Sequence, residues 1–281
     1  MYHELVADRL RIGEKDFASM TDSGAQSIDL MPLHWRLVLG MRTDSTSYAD
    51  AVTRVLTWAS ARESRYVCVA NVHVTMESYD SADFQKIVNG ADLVTPDGMP
   101  LVWALRLFGL SEATQVRGPS LTVDMIKRAA AAGVAIGFYG GTPAVLELLI
   151  QECKRRFPEL RMVYAHAPPF RQLTTEEDAA IVQEINASGV AILFVGLGCP
   201  KQERWMALHR GSVNAVMLGV GAAFDFLSGV KPEAPHWMQR AGLEWIFRLA
   251  TEPRRLWWRY AYHNPRFVVL LARQYLKSMT A

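Results

Sequence analysis

No stretch of this chain stays apolar for the roughly 20 residues that a bilayer-spanning helix needs. The run Ala215 to Ala223 is cut by Asp225, and Phe267 to Ala272 is far shorter, so any membrane contact is expected to be peripheral. Cysteine is scarce as well. Cys68, Cys153 and Cys199 have no C-x-x-C spacing and no even-numbered framework, which excludes a disulfide scaffold, makes a structural zinc improbable and points to a reducing compartment. The first residues mix Glu4, Asp8 and Glu14 with short apolar runs, unlike the basic-then-apolar order of a secretory signal.

Several catalytic signatures are missing too. There is no G-x-G-x-x-G and no G-x-x-x-x-G-K-[ST]; Gly219-x-Gly221-x-x-Phe224 fails at the third glycine, so NAD and ATP lose their main sequence support. The absence of H-x-x-x-H, D-x-D or a Cys/His cluster argues against a metal-dependent reaction, and no metal or other cofactor is expected. G-x-S-x-G is absent and Cys199 sits in a turn with no evident base, which argues against covalent hydrolysis. A net charge of +2 gives no case for nucleic acid as a partner.

What is present is enough apolar residue, 50% of 281, to bury a large core. Residues 1–34 show no sustained periodicity and read as a leader. From Trp35 short apolar runs alternate with helical patterns. Strands are expected at Arg36–Leu39, Tyr66–Ala70, Leu93–Thr95, Ala135–Tyr139, Arg161–His166, Ala191–Val195 and Ala215–Val220. Helices are expected at Ser47–Ser60 (capped by Ser47), Ser81–Asn89, Met99–Phe108, Leu121–Ala132, Ala144–Phe157 and Glu176–Ala187. This alternation predicts an α/β fold, a Rossmann-like parallel sheet with helices on both faces over residues 35–243, with a C-terminal helical appendage over 244–281.

Ligands of such sheets bind outside the carboxyl ends of the strands, and the polar and glycine residues of this chain gather there. Asn71 and His73 follow one strand, and Asp97 and Gly98 follow another in a P-D-G turn that offers one carboxylate as a general base. Arg117 precedes a helix and carries a planar fork suited to a diphosphate or to sugar hydroxyls. Gly140, Gly141 and Thr142 form a turn that backbone N–H groups can use toward phosphate. Gly196, Gly198 and Pro200 lead into Lys201, Gln202 and Glu203 at a helix start, with Gly221, Phe224 and Asp225 after the last strand. Each piece has a plain alternative: a turn residue, a surface ion pair, an ordinary strand–turn–helix connection.

The C-terminal segment is basic and aromatic. From Arg240 onward Arg240, Arg248, Arg254, Arg255, Arg259, Arg266, Arg273 and Lys277 stand against only Glu244 and Glu252, interleaved with Trp237, Trp245, Trp257, Trp258, Tyr260 and Tyr262. On a helix Arg248, Arg255 and Arg259 would fall near one face. That pattern suits either a membrane interface with anionic groups or core aromatics with solvated arginines.

The ordered set of motifs resembles the WecG/TagA/CpsF family of bacterial glycosyltransferases: A-N-V-H at Ala70–His73, N-G-A-D-L-V-T-P-D-G-M-P at Asn89–Pro100, R-G-P-S at Arg117–Ser120, F-Y-G-G at Phe138–Gly141, G-L-G-C-P-K-Q-E at Gly196–Glu203, G-V-G-A-A-F-D-F-L-S-G at Gly219–Gly229 and E-W-I-F-R-L-A-T-E-P-R-R at Glu244–Arg255. The resemblance implies an inverting, metal-independent transfer from a UDP-sugar donor to a sugar on a polyprenyl diphosphate, at the cytoplasmic face of the membrane. It implies Asp97 as base, Asn71 in the active site, and Arg248, Arg254 and Arg255 closing over the diphosphate; the family's usual threonine is Val69 here. Gln202 and Glu203 are expected to read uridine or sugar hydroxyls. A sugar-nucleotide oxidoreductase or epimerase with bound NAD, and a non-catalytic membrane-docking scaffold, are the competing readings. The helical faces outside the sheet leave room for a homo-oligomer.

Overall fold

The computed structural model describes residues 30–280. Most of the expected 1–34 leader therefore lies outside the described residues. From Leu33 onward the chain forms one compact unit.

The central sheet has six strands, β3 (Arg65–Ala70), β4 (Leu93–Pro96), β5 (Ile136–Gly140), β6 (Met162–His166), β7 (Ile192–Gly196) and β8 (Val216–Gly219), in the order β4-β3-β8-β7-β5-β6. All five pairings are parallel. The inner strands are buried almost residue for residue, as expected when helices cover a parallel sheet, whereas edge strand β6 is only partly covered. Around the sheet pack α1 (Tyr48–Ser60), α2 (Val72–Asp80), α3 (Ala82–Asn89), α4 (Met99–Leu107), α5 (Gly118–Ala131), α6 (Pro143–Arg156), α7 (Thr175–Ala187), α8 (Lys201–Leu208) and α9 (Ala223–Leu227). The Ser47 hydroxyl accepts from the Asp50 N–H at 3.2 Å, capping α1 as its sequence position predicts.

Two elements differ from the sequence expectation. The first strand is one arm of a hairpin, β1 (Trp35–Val38) against β2 (Met41–Asp44), joined through Leu39 and Gly40, both at positive φ, the twist that two-residue hairpin turns require. Asp44 ends β2 fully buried; its Oδ2 accepts from the Val94 N–H at 2.7 Å and ties the hairpin to edge strand β4. Helix α2 is the other addition. The Asn71 side chain accepts from the N–H groups of His73 and Val74, which starts a helix directly at the end of β3.

The C-terminal appendage is helical, as expected, and is built in pieces. It comprises α10 (His236–Arg240), α11 (Glu244–Thr251) and the long α12 (Pro253–Met279), with a break at Glu252, where Pro253 supplies the first residue of α12. Arg248 therefore belongs to α11, and Arg255 and Arg259 to α12. Helix α12 is tied back to the hairpin by Gln274, which accepts from the Leu39 N–H and donates to the Leu37 carbonyl. Arg266 pairs with Asp80 at the end of α2. No helix among the described residues is long and apolar enough to cross a membrane.

The ends of β5 and β7 meet at van der Waals limits. A Cβ on Gly140, at φ +120°, would lie 2.6 Å from the Gly196 carbonyl carbon, and one on Gly196 would lie 2.6 Å from the Phe224 ring. Phe224 in turn packs edge-on against Phe138 at 5.5 Å. Gly140→Ala is expected to cost about 2–4 kcal/mol, from backbone strain plus overlap with a backbone atom that cannot move aside. Gly133→Ala, at φ +64° with nothing within 4 Å of the added carbon, should cost only about 1 kcal/mol. Urea unfolding of the two variants measures the difference.

Candidate active site

Parallel pairing places the ends of β3, β4, β5, β7 and β8 on one rim. Neighbouring strands β3 and β4 deliver Asn71 and Asp97 side by side, with Ala70 paired to Pro96. Two hydrogen bonds orient the Asp97 carboxylate: Oδ1 accepts from the Gly118 N–H at 2.9 Å and Oδ2 from the Asn71 side-chain amide at 3.3 Å. The backbone is fixed as well, since the Asp97 N–H donates to the Ala70 carbonyl and the Asp97 carbonyl accepts from Gln115. Asn71 thus serves twice, its oxygen starting α2 and its nitrogen holding Asp97. Burial first, and then the charge of Glu244, hold the Asp97 carboxyl above the ordinary carboxylate range, against the pull of Gly118, Asn71 and Arg117. Gly98 caps α4 just behind it.

Arg117 is not presented to a ligand. Its side chain is 5% exposed and is held by Glu244 (2.8 Å), Glu233 (3.5 Å), Gln239 (2.7 Å) and Ser120 (3.0 Å). Its N–H donates to the Tyr48 hydroxyl. The guanidinium expected to meet diphosphate instead ties the rim to the C-terminal segment, because buried charge needs carboxylate partners.

Gln202 and Glu203 also face inward, a correction to their expected contact with uridine or sugar. Gln202 Oε1 accepts from the N–H groups of both Gly198 and Gly221 at 3.1 Å, joining the loops after β7 and β8. Glu203 is fully buried beneath it, and its Oε1 accepts from the Gln202 side-chain amide. Burial pushes its carboxyl up to about 7. Lys201, by contrast, is exposed at the start of α8, with Pro200 as the residue before it.

The remaining glycine turn, Gly140–Gly141–Thr142, is occupied by the chain itself. The Gly141 N–H donates to the Gly196 carbonyl, and the Thr142 hydroxyl caps α6 by accepting from Val145. Phe224 is core, and Asp225 pairs with Lys231 at 2.6 Å. His73 lies half-buried on α2, near Glu77 and His263; burial and the charge of Arg259 push its imidazole down to about 3.

The appendage contributes cations. Arg248 stacks over Phe226 with its Nε buried and without a hydrogen bond among the described residues, Arg254 is exposed, and Arg255 pairs with Glu252. Arg259, half-buried and close enough to feel Arg255, Arg248 and Cys199, has its charged form disfavoured chiefly by burial. Sequence position on one helix face groups it with Arg248 and Arg255, although the helix break separates them. The anchoring roles of Tyr48, Gln115, Gln239 and Glu244 left no signal in the sequence, because each depends on a distant partner.

A parallel α/β sheet with an oriented, buried carboxylate on its strand-end rim, joined through Arg117 to a basic helical appendage, defines a Rossmann-like α/β protein with a candidate acid–base group at the usual ligand edge. The chain belongs to the WecG/TagA/CpsF family of glycosyl transferases, whose profile matches residues 36–281. It is similar to the N-acetylglucosaminyldiphosphoundecaprenol N-acetyl-beta-D-mannosaminyltransferase of Bacillus spizizenii, with 27% identity over 75% of this chain and 80% of that one. The enzyme of the same name from Staphylococcus aureus is 25% identical over 78% of this chain and 85% of its own. The protein is thus a glycosyltransferase.

The buried Glu203 gives a stability test. Its folded-state carboxyl titrates near 7 against an ordinary 4.5, so the folded protein keeps a proton that the unfolded chain loses. Stability should therefore fall as pH rises through that window, by roughly 3 kcal/mol in all. Glu203→Gln, which keeps the acceptor for Gln202, is expected to flatten this fall and to be the more stable protein at pH 8, as read by urea unfolding across pH.

Proposed function

We propose that this protein transfers a sugar from a UDP-sugar to a sugar carried on a polyprenyl diphosphate, with inversion at the anomeric carbon and without a metal ion in the reaction. The names of its relatives favour an N-acetylmannosaminyl group as the cargo and an N-acetylglucosaminyl-diphosphoundecaprenol as the acceptor. The observation that carries the reading is the Asp97 carboxylate, oriented by Gly118 and Asn71 on the rim and raised in basicity by burial and Glu244.

In this mechanism the acceptor hydroxyl attacks the anomeric carbon as its proton passes to Asp97. A new glycosidic C–O bond forms while the C–O bond to UDP breaks, and the electron pair leaves with the diphosphate. A single displacement makes no sugar–enzyme bond and inverts the centre. The growing charge on UDP needs cations, and Arg248, Arg255 and Arg259 are the group supplied by the appendage, with exposed Arg254 next to Arg255 and exposed Lys201 at the start of α8 as further candidates. Exposed Trp245, Trp257, Trp258 and Tyr262 on the same segment suit peripheral seating on the cytoplasmic face of the membrane, where a lipid-linked acceptor is held.

Asp97→Asn is expected to lower turnover about 10²–10⁴-fold while leaving UDP affinity within a few-fold, because a base acts in the transition state more than in the ground state. Release of UDP from a panel of UDP-sugars, with a short-chain polyprenyl-diphosphate acceptor and EDTA, reads the first quantity; calorimetry with UDP reads the second. The wild-type rate should rise with pH along a limb displaced above the ordinary carboxylate range. Near-normal turnover in the variant would remove Asp97 from the chemistry.

A further inference from the structure

Beside the Asp97 rim, one helical turn along α2 from Asn71, helices α2 and α12 bring together His73, Glu77 and His263. One ligand atom from each lies within 4.8 Å of the other two. His73 and Glu77 share a face of α2 because they are four residues apart, and His73 Nε2 lies 3.5 Å from Glu77 Oε1. That is close to the edge of a tetrahedron, about 3.3 Å, for ligands at 2.0–2.1 Å from a zinc ion. The two imidazoles stand nearly perpendicular, with centroids 5.4 Å apart. Two rings bound to one tetrahedral ion have centroids about 5 Å apart. His263 Nδ1 is buried and has no hydrogen-bond partner among the described residues.

We propose that His73, Glu77 and His263 bind one divalent transition cation of the zinc class, which pins α12 onto α2. Two imidazoles and one carboxylate match zinc better than magnesium or calcium, which prefer oxygen-only shells. Closing the set requires side-chain movement of no more than about 1.5 Å, from the observed spread to a tetrahedral edge. The backbone is already held by a neighbouring contact, the double hydrogen bond of Arg266 to Asp80 at 2.6 and 2.9 Å. The surrounding charge does not oppose the ion as a whole. Arg259 and Arg266 bear on the histidines from α12, and Glu77 and Asp80 offset them from α2. Three protein ligands leave the fourth position to water. The ion has no part in the sugar transfer argued above, and the inference does not depend on that transfer.

The full chain, stripped of metal with a chelator, is titrated with Zn²⁺ by calorimetry and with Co²⁺ by visible absorption. The expected result is about one ion per chain and the intense ligand-field bands of a four-coordinate Co²⁺ site. Affinity should drop at least about tenfold in His263→Ala and in Glu77→Gln, since each removes one of three ligands. It should be unchanged in His236→Ala, which alters an exposed histidine outside the cluster. Zinc should raise the melting temperature of the wild type and of His236→Ala only. Absence of stoichiometric binding, or equal binding by all the variants, overturns the site. Should the ligand variants not fold, X-ray absorption of the zinc-loaded wild type decides: two imidazole nitrogens with oxygen support the site, and any other shell overturns it.

Discussion

The guanidinium of Arg117 is withdrawn from water at the edge of the sheet, and its position depends on carboxylates and an amide that come from the far end of the chain. Glu233, Gln239 and Glu244 surround it, and Ser120 and Tyr48 complete the shell. A buried charge that loses its partner costs about 3–5 kcal/mol. The seating of the C-terminal segment and the geometry of the rim are therefore one equilibrium. Gly118, the next residue, gives its N–H to Asp97, so the same shell that holds Arg117 also fixes the direction in which the carboxylate points. Glu244 acts on both ends of this arrangement, neutralising Arg117 and raising the basicity of Asp97.

Loops that look built for phosphate are mostly committed to the fold. The N–H groups of Gly198 and Gly221 are taken by one oxygen of Gln202, and that of Gly141 by the Gly196 carbonyl. These bonds hold the loops after β5, β7 and β8 in register, which keeps the rim rigid. They also remove the donors that would otherwise meet an anion. In the proposed transfer, positive charge then has to come from side chains, for which the half-buried Arg248 and Arg259, together with Arg255, are the candidates.

The parallel sheet and the positions of its six strands were largely legible in the sequence, since buried parallel strands read as short apolar runs that end in glycine or polar residues, whereas their spatial order was not. Helix α2 was not, because its start depends on Asn71 acting as a cap immediately after a strand, with no loop to announce it. Strand β2 was hidden for a related reason: Met-Arg-Thr-Asp has no apolar run, and its Asp44 is buried only because β4 offers an N–H. Polar residues in a motif give no sign of which way they face. Gln202 and Glu203 read as ligand contacts and lie in the core.

That fold-back places two chemistries on a single helix. Trp258 and Tyr262, four residues apart, stack at 5.9 Å on the exposed side of α12, while Arg255 and Arg259, also four apart, lie on an adjacent side toward Arg248 and the loop after β7. Aromatic side chains of this kind sit at headgroup depth in a membrane, with a polar end in water and a flat apolar body in the interface. A helix lying in that plane on its tryptophans would hold its arginines at the depth where the diphosphate of a lipid-linked sugar emerges. In the proposed transfer, the same contact that seats the protein on lipid then aligns the acceptor with the cations. The Arg117 shell links the appendage to the Gly118 N–H that orients Asp97, so in that transfer a loosened appendage would weaken acceptor binding and misplace the base together.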